Sequence, residues 1–175
     1  MEARSGDVLV RPWRPSDAAA HVAAIDHDDI ARWIDFPRPL RVEDALEFFA
    51  RGTLHFGVFA APGSSPAVLG GVGLHPYDPS RAWAEIDWWV TPAARRRRVA
   101  RTAILIVARW AFASLALERI EARVQPVNVA SRALAESLGF VLLPATARRA
   151  HRGAEVELLR YELRPSSSAI RSSSS

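Results

Sequence analysis

Hydrophobic and polar positions follow two different periods along this chain, and together they predict a mixed α/β fold. Six runs have the composition or alternation of strands: Val8–Trp13, Leu54–Ala60, Ala67–His75, Ala82–Val90, Arg119–Val124 and Glu155–Leu163. Four segments have helical periodicity or helix-starting residues: Ala18–Ile30, Val42–Arg51, Ala100–Leu117 and Asn128–Gly139. This order predicts a central mixed, mostly antiparallel sheet of about seven strands flanked by helices.

Turn and capping residues support these boundaries. Ser16 and Asp17 are good N-caps for the first helix, and Gly139 suits the end of the last one. The turn-rich segments are residues 62–66, residues 76–79 and Arg148–Gly153. The first two are expected to be hairpin connections, and the third is expected to precede the last strand.

The length and composition limit the organisation of the protein. A chain of 175 residues predicts one domain, residues 1–164, followed by a serine-rich disordered tail, residues 165–175. There is no cysteine, which excludes disulfides, thiol nucleophiles and cysteine metal sites. No apolar run has the length of a membrane span, so we expect a cytoplasmic protein without a membrane partner. The five histidines lack zinc-ligand spacing, so no metal site is predicted.

The dense basic segment Arg95–Arg98 predicts a phosphate site. All 23 basic residues are arginine, for which a GC-rich genome is the simplest explanation. Only Arg95, Arg96, Arg97 and Arg98 are clustered, and they lie between a strand and a helix. A helix N-terminus presents free N–H groups and the positive end of the dipole, so four cations there oppose it unless an anion binds. A phosphate-bearing cofactor explains this segment more economically than nucleic acid.

Several motifs in order resemble the GNAT acetyltransferase superfamily, in particular its Rim-type branch, which acetylates the N-termini of ribosomal proteins. The resemblance extends from about Val8 to Leu163. The motifs that carry it are Leu9–Asp17, the strand with Ala84-Glu85-Ile86, Asn128–Arg132 and the ending Ala135–Phe140. It implies the GNAT fold and acetyl-CoA as the acyl donor.

The resemblance also implies which residues bind acetyl-CoA. These are Trp89, Val90, Arg95, Arg96, Arg97, Arg98, Val99, Ala100 and Asn128. The family's cofactor loop has Gln or Arg, two variable residues, Gly, one variable residue, then Gly or Ala. Arg95 and Ala100 match it, whereas Arg98 replaces the central glycine and Arg96 replaces another frequent glycine. Arg98 either adds a phosphate contact, if its backbone is already helical, or obstructs the loop.

Acetyl transfer to an amine also needs a proton acceptor and a proton donor for the leaving thiolate. Glu85, within an apolar strand where the family places a base, is the candidate base; it could equally be a solvated glutamate or an arginine's partner. Asp87, on the same strand face, is the reserve candidate. Ser131 is the candidate acid, although Asn128 and Ser131 could also serve only to cap the helix.

The sequence therefore predicts an acetyl-CoA-dependent N-acetyltransferase that acts by direct attack in a ternary complex. The alternative is a non-catalytic GNAT-fold module that binds a CoA-like ligand or a protein partner, with Arg98 as its mark. The amine acceptor stays open between a protein N-terminus and a small molecule. The oligomeric state also stays open, and a homodimer is one of the options.

Overall fold

The computed structural model describes residues 1–51, 54–61 and 67–171, and these ranges form a mixed α/β fold with a central multi-strand sheet flanked by helices. The strands are β1 Ala3–Ser5, β2 Val8–Pro12, β3 Leu54–Ala60, β4 Val68–Asp78, β5 Trp83–Val90, β6 Arg119–Val124, β7 Val141–Leu142, β8 Ala147–His151 and β9 Ala154–Leu163. The helices are α1 Ala18–Ile25, α2 Asp28–Ala31, α3 Val42–Ala50, α4 Val99–Ser114, α5 Val129–Ser137 and α6 Ser168–Arg171. The predicted fold class is confirmed.

The chain divides into two compact units, and β4, β5 and α4 contribute residues to both. The first unit contains residues 1–73 and 88–106. Its strands follow the order β1-β2-β3-β4, and β2 runs antiparallel to both β1 and β3. Val10 and Val58 are register partners on β2 and β3, and both are buried. Arg11 at the end of β2 makes a 2.7 Å ion pair with Asp17, which fixes the chain entering α1.

The second unit contains residues 74–87 and 107–175. In it, β5 pairs in parallel with β6 through Trp83–Glu85, opposite Arg119–Glu121. Strand β9 runs antiparallel to β6, β7 and β8. The core of this unit includes Ile120, Leu138 and Tyr161, each fully buried.

Several element boundaries differ from the prediction, and three of these differences affect the connections between elements. The first helix ends at Ile25 instead of Ile30, because His27 is extended and its Nδ1 accepts a 3.2 Å hydrogen bond from the N–H of Asp29, which starts α2. Strand β4 continues to Asp78, so the turn lies at Pro79–Arg81. The segment predicted as a turn at Arg148–Gly153 is mostly strand β8.

The β8–β9 hairpin explains the last of these differences. Ala147–His151 pairs with Ala154–Leu158, which leaves a two-residue connection. Those residues, Arg152 and Gly153, have φ of 50° and 77°. Two consecutive positive φ values are typical of the turn that suits the twist of a tight hairpin. The backbone therefore turns in two residues where the sequence predicted six.

The tail predicted as disordered contains the short helix α6. Its carbonyls at Ala169 and Ile170 accept hydrogen bonds of 2.7 and 3.1 Å from the Arg109 side chain of α4. The final four residues and the predicted turn at 62–66 lie outside the described ranges. The single-domain assignment stays a prediction. None of the helices in the described ranges is long and apolar enough to cross a membrane.

Candidate functional site

The arginine segment lies in the first unit, between the end of β5 and the start of α4. A short 3-10 turn, Pro92–Ala94, leads into it. Arg95, Arg96, Arg97 and Arg98 are all exposed, and α4 begins at Val99. The N–H of Thr102 donates to the carbonyl of Arg98 at 2.9 Å. The N–H groups of residues 99 and 100 precede this bond in the first turn of α4, where an N–H has no intrahelical acceptor, so they can bind an anion.

Two arginines of this segment have the backbone conformation of glycine. Arg96 has φ of 58° and Arg98 has φ of 60°, both in the left-handed region. These are the two positions at which the family's loop usually has glycine. The predicted phosphate contact by Arg98 depends on a helical backbone at this residue. That condition is not met, because Arg98 lies one residue before α4 in a left-handed conformation. The loop therefore keeps a glycine-like path while its arginine side chains are exposed.

The charge of the segment is only partly neutralised. Arg95 Nη1 lies 2.8 Å from Asp29 Oδ2, and this hydrogen bond lowers the pKa of Asp29 below its usual value. In the described part of the chain, Arg96, Arg97 and Arg98 have no recorded ion pair. Three exposed guanidinium groups therefore remain beside the positive end of α4.

Four other residues expected to bind the cofactor, Trp89, Val90, Val99 and Ala100, also lie in this unit, whereas Asn128 lies in the second unit. Val90 is half-buried at the end of β5, and the N–H of Thr91 donates to Leu69 at 2.9 Å. Trp89 packs over β4, where a side chain at Gly71 would lie 2.6 Å from the indole nitrogen. Glycine is required at Gly71 because the indole occupies that space. Val99 is buried, and Ala100 is half-buried.

Trp89 also contacts a buried histidine. The rings of His21 and Trp89 meet edge to face, with 5.9 Å between centroids. Trp13 and Phe49 also contact His21, at 4.8 and 5.3 Å between centroids. Burial lowers the pKa of His21 to about 4, and among the described residues its Nδ1 is a buried atom without a hydrogen bond. His21 is therefore a neutral member of this aromatic cluster at physiological pH.

In the second unit, Glu85 is buried and ion-paired. Its side chain is 4% exposed, and both carboxylate oxygens accept hydrogen bonds from Arg149 Nη2, at 2.7 and 2.8 Å. Arg123 Nε lies 3.3 Å from Glu85 Oε2. Its register partner Glu121 is buried in the same way and pairs with Arg160 at 2.9 Å. This geometry matches the interpretation of Glu85 as an arginine's partner, and its role as base stays a prediction.

Asp87 is more accessible than Glu85. Its carboxylate pairs with the imidazole Nε2 of His75 on β4, and the two side chains are 45% and 40% exposed. The hydrogen bond to Asp87 is the largest effect that raises the pKa of His75 above 6.5, and the negative charge of Glu85 adds to it. Burial and the positive charge of Arg149 oppose this shift. The strand therefore has an accessible carboxylate–imidazole pair two residues beyond its buried glutamate.

Asn128 and Ser131 begin helix α5. The Asn128 side-chain oxygen accepts a 3.1 Å hydrogen bond from the N–H of Ser131, as an N-cap does. Both side chains are half-buried. The Ser131 N–H is thus satisfied by the cap, and its hydroxyl is the group that remains for the predicted acid role.

Sequence reasoning missed His75 and Arg149. Arg149 is 64 positions from Glu85 along the chain, so no local pattern connects them. His75 could have been predicted as a partner of Asp87, because a hairpin between Ala67–His75 and Ala82–Val90 places residues of the two strands opposite each other. The unusual second acid at Asp87 was the signal that a partner lay on the neighbouring strand.

Comparison with known proteins identifies the family. The sequence model of the acetyltransferase (GNAT) domain matches residues 7–141, more than half of the chain. No curated protein is significantly similar to the chain in sequence.

Solved structures share the fold at low identity. A GCN5-related N-acetyltransferase from Brucella melitensis has a TM-score of 0.81 and 20% identity, covering 98% of this chain and 82% of its own. The ribosomal-protein-S5-alanine acetyltransferase from Vibrio fischeri has a TM-score of 0.78 and 17% identity, covering 95% and 97%. The microcin C7 self-immunity acetyltransferase MccE, solved with acetyl-CoA and AMP, has a TM-score of 0.77 and 14% identity, covering 91% and 93%. The chain therefore belongs to the GNAT acetyltransferase family, whose members are acetyl-CoA-dependent N-acetyltransferases.

Proposed function

We propose that this protein transfers the acetyl group of acetyl-CoA to a primary amine by direct attack within a ternary complex. The observation that carries the proposal is the loop before α4, in which two arginines adopt left-handed backbone conformations at the positions of the family's glycines. A strained backbone of this kind persists where the surroundings require it, and such positions cluster at ligand sites.

In this proposal the loop binds the pyrophosphate of acetyl-CoA. The N–H groups of residues 99 and 100 donate hydrogen bonds to the phosphate oxygens, and Arg96, Arg97 and Arg98 supply the positive charge. Trp89, Val90 and Asn128 take the roles that the family resemblance implies, with Asn128 on the pantetheine arm. The recorded parallel pairing of β5 with β6 ends at Glu85, which supports an open strand edge from residue 86 onwards for an extended ligand.

Direct transfer is supported by the composition. The chain contains no cysteine, so an acetyl-cysteine intermediate is excluded. The amine lone pair attacks the thioester carbonyl, the C–N bond forms and the C–S bond breaks. Ser131 gives its hydroxyl proton to the departing thiolate and recovers a proton from the nitrogen of the intermediate. Glu85 is the sequence-based candidate base, and its pairs with Arg149 and Arg123 weigh against it.

The acceptor belongs to the class of primary amines. The name of the Vibrio fischeri structure gives an alanine of a ribosomal protein as the acceptor, and that of MccE gives self-immunity to microcin C7. Both classes therefore belong in one screen. A cytoplasmic location stays part of this proposal.

The test combines binding with turnover. Calorimetry with acetyl-CoA measures binding, and release of the CoA thiol to a thiol-reactive dye measures transfer, with no background from a protein that lacks cysteine. The acceptors are peptides with free N-terminal alanine or serine and a set of small primary amines. We expect micromolar binding and acceptor-dependent thiol release. Binding of acetyl-CoA without transfer to any amine would support the non-catalytic module instead.

A matched pair of serine variants tests the acid. Ser131→Ala should lower turnover without changing acetyl-CoA affinity. Ser137→Ala, on the same helix, removes a hydroxyl that donates to the carbonyl of Leu134 at 2.8 Å and should leave turnover unchanged. Equal effects of the two variants would show that Ser131 only stabilises the helix and does not act as the acid.

A further inference from the structure

Two arginine side chains share one buried carboxylate in the second unit. Arg149 of β8 donates from Nη2 to both oxygens of Glu85, at 2.7 and 2.8 Å, and Nε of Arg123 of β6 lies 3.3 Å from Glu85 Oε2. We propose that Arg123 and Arg149 form a binding site for an oxyanion, a carboxylate or phosphate group, beside Glu85. This site uses neither the arginine segment nor the N-terminus of α4.

Arg123 lacks hydrogen bonds for its guanidinium group. Its Nε is within ion-pair distance of Glu85, yet it is a buried atom that makes no hydrogen bond to the described residues. The side chain is 24% exposed, and its other recorded contact in residues 1–51, 54–61 and 67–171 is with the face of Trp83, 5.9 Å from the ring centroid. Because a guanidinium has donors and no acceptor, a mostly buried one requires a group that accepts.

A second unsatisfied donor belongs to the neighbouring Trp83. Its indole Nε1 is buried and also has no hydrogen bond among the described residues. Trp83 is two residues before Glu85 on β5, so the two side chains lie on the same face of the strand. A buried indole N–H usually has a partner. Of the three buried side-chain atoms without a hydrogen bond in the described ranges, two are therefore donors at this place, and donors favour a ligand that only accepts.

The positive charge around Glu85 exceeds the negative charge. Arg123 and Arg160 are register partners on β6 and β9, so two like charges lie opposite each other. Arg160 pairs with Glu121 through two hydrogen bonds, at 2.9 and 3.1 Å. Glu85 therefore serves both Arg123 and Arg149, which leaves one cation in excess. An anion bound by these two guanidinium groups removes the excess.

A ligand can reach this site at Arg149. Its side chain is 45% exposed, and its Nε and Nη1 have no recorded hydrogen bond in the part of the chain that the structure describes. The guanidinium fork matches the two oxygens of a carboxylate or phosphate group. Asp87, the next carboxylate of β5, pairs with His75 instead.

Two sources can supply the oxyanion. It is either an acidic group of the acceptor amine, in which case the inference rests on the proposed function, or a free small anion, in which case it does not. The first source is supported by the position of Arg123 near the end of β6, from which the chain continues to Asn128 and Ser131 of the proposed acetyl-transfer site.

An NMR titration tests the site directly. The Nε–H signal of Arg123, assigned by its loss in Arg123→Lys, is followed while sodium acetate or sodium phosphate replaces sodium chloride at constant ionic strength. We expect a saturable shift with at least one of the two anions. Shifts no larger than those in chloride alone would overturn the inference and leave the proposed function standing.

Substitutions separate the contributions to anion affinity. Arg149→Gln should weaken it about tenfold, the lower end of the loss of a charge-assisted hydrogen bond, and Arg149→Lys should weaken it less because it keeps the charge. Glu85→Gln should tighten it, because the carboxylate that competes for both guanidinium groups is gone. Arg148→Gln is the matched control, since Arg148 is 71% exposed and pairs with Glu155. Equal affinities in Arg149→Gln and the wild type would overturn the inference; should Arg149→Gln not fold, Arg149→Lys and Glu85→Gln still predict changes of opposite sign.

Paired acceptors decide the source of the oxyanion. Alanine and alaninamide both carry a primary amine and differ in the carboxylate, so both join the amine screen. For an acidic acceptor, the ratio of kcat/KM for alanine to that for alaninamide should fall about tenfold in Arg149→Gln and stay unchanged in Arg148→Gln. An unchanged ratio beside a positive titration assigns the site to a free anion. A protein that acetylates no amine loses the proposed function, and the titration still decides this inference.

Discussion

Replacing Arg98 by glycine tests both the strain and the charge of the cofactor loop, because the two contributions change different observables. Arg98 has φ of 60° and precedes α4. A left-handed conformation costs an L-residue about 1–2 kcal/mol. Glycine removes that cost but adds roughly 0.5–1 kcal/mol of entropy loss on folding. The net expectation is stabilisation by between 0 and about 1.5 kcal/mol.

This stabilisation is measurable as a melting temperature. For a chain of this size, 1 kcal/mol corresponds to about 2–4 °C. Arg98→Gly should therefore raise the melting temperature of the ligand-free protein by about 2 °C, up to about 6 °C at the upper limit. Arg97 is the matched control, since it has the same side chain one residue earlier and its φ is not positive. Arg97→Gly should lower the melting temperature, because glycine there adds entropy and relieves no strain.

Acetyl-CoA affinity gives the second observable. Both substitutions remove one guanidinium from the loop, so each should weaken binding by about tenfold, the lower end of the loss of a charge-assisted hydrogen bond. The loss should shrink as salt rises. Equal melting temperatures for the two variants would refute the strain argument. Tenfold tighter binding by Arg98→Gly would show that the arginine side chain obstructs the loop, which would favour the non-catalytic alternative.

Three further predictions use the same assays. Glu85→Gln should lower the free energy of unfolding by roughly 1–3 kcal/mol in chemical denaturation, because Arg149 and Arg123 lose a carboxylate; an unchanged stability with a roughly 10²-fold loss of turnover would instead identify Glu85 as the base. Asp29→Asn should tighten acetyl-CoA binding by about two- to fivefold by releasing Arg95, whereas Asp28→Asn, which faces Arg38, should not. His21 has its pKa lowered to about 4, so the unfolded chain takes up a proton on this residue before the folded chain does as pH falls below 6.5. The free energy of unfolding should therefore fall by about 3 kcal/mol between pH 6.5 and 4. Chemical denaturation at pH 7 and pH 4 measures this loss, which His21→Phe should not show.

Local patterns were sufficient for most of the elements. Strands β3 and β6 begin and end at the predicted residues, because alternation and flanking polar residues mark their limits. The first helix was predicted five residues too long, because its apolar periodicity continues past Asp26. The helix ends because the N–H of Asp29 donates to the His27 ring and a second helix begins there. The apolar periodicity does not predict this new start.

The candidate site was predictable only where its parts are local. The Asn128 cap of α5 and the position of Arg95–Arg98 before α4 follow from residues that lie within a few positions of each other. The environment of Glu85 depends on Arg149, which arrives on the distant strand β8. An apolar run around a glutamate correctly predicts that the glutamate is buried, but it does not predict which basic side chain pairs with the buried carboxylate.

The departures from local rules concentrate on one loop, and this distribution is itself an argument for its function. Arg96 and Arg98 adopt conformations that cost an L-residue about 1–2 kcal/mol each. Arg97 and its neighbours also add positive charge where the dipole of α4 is already positive, which is unfavourable without an anion. A folded domain has only about 5–15 kcal/mol of net stability, so strain and repulsion at one place are a sizeable part of it. Both are offset when a polyanion binds, because the phosphate neutralises the charge and accepts hydrogen bonds from N–H groups at the start of α4. A loop that served only to connect β5 with α4 would require neither feature.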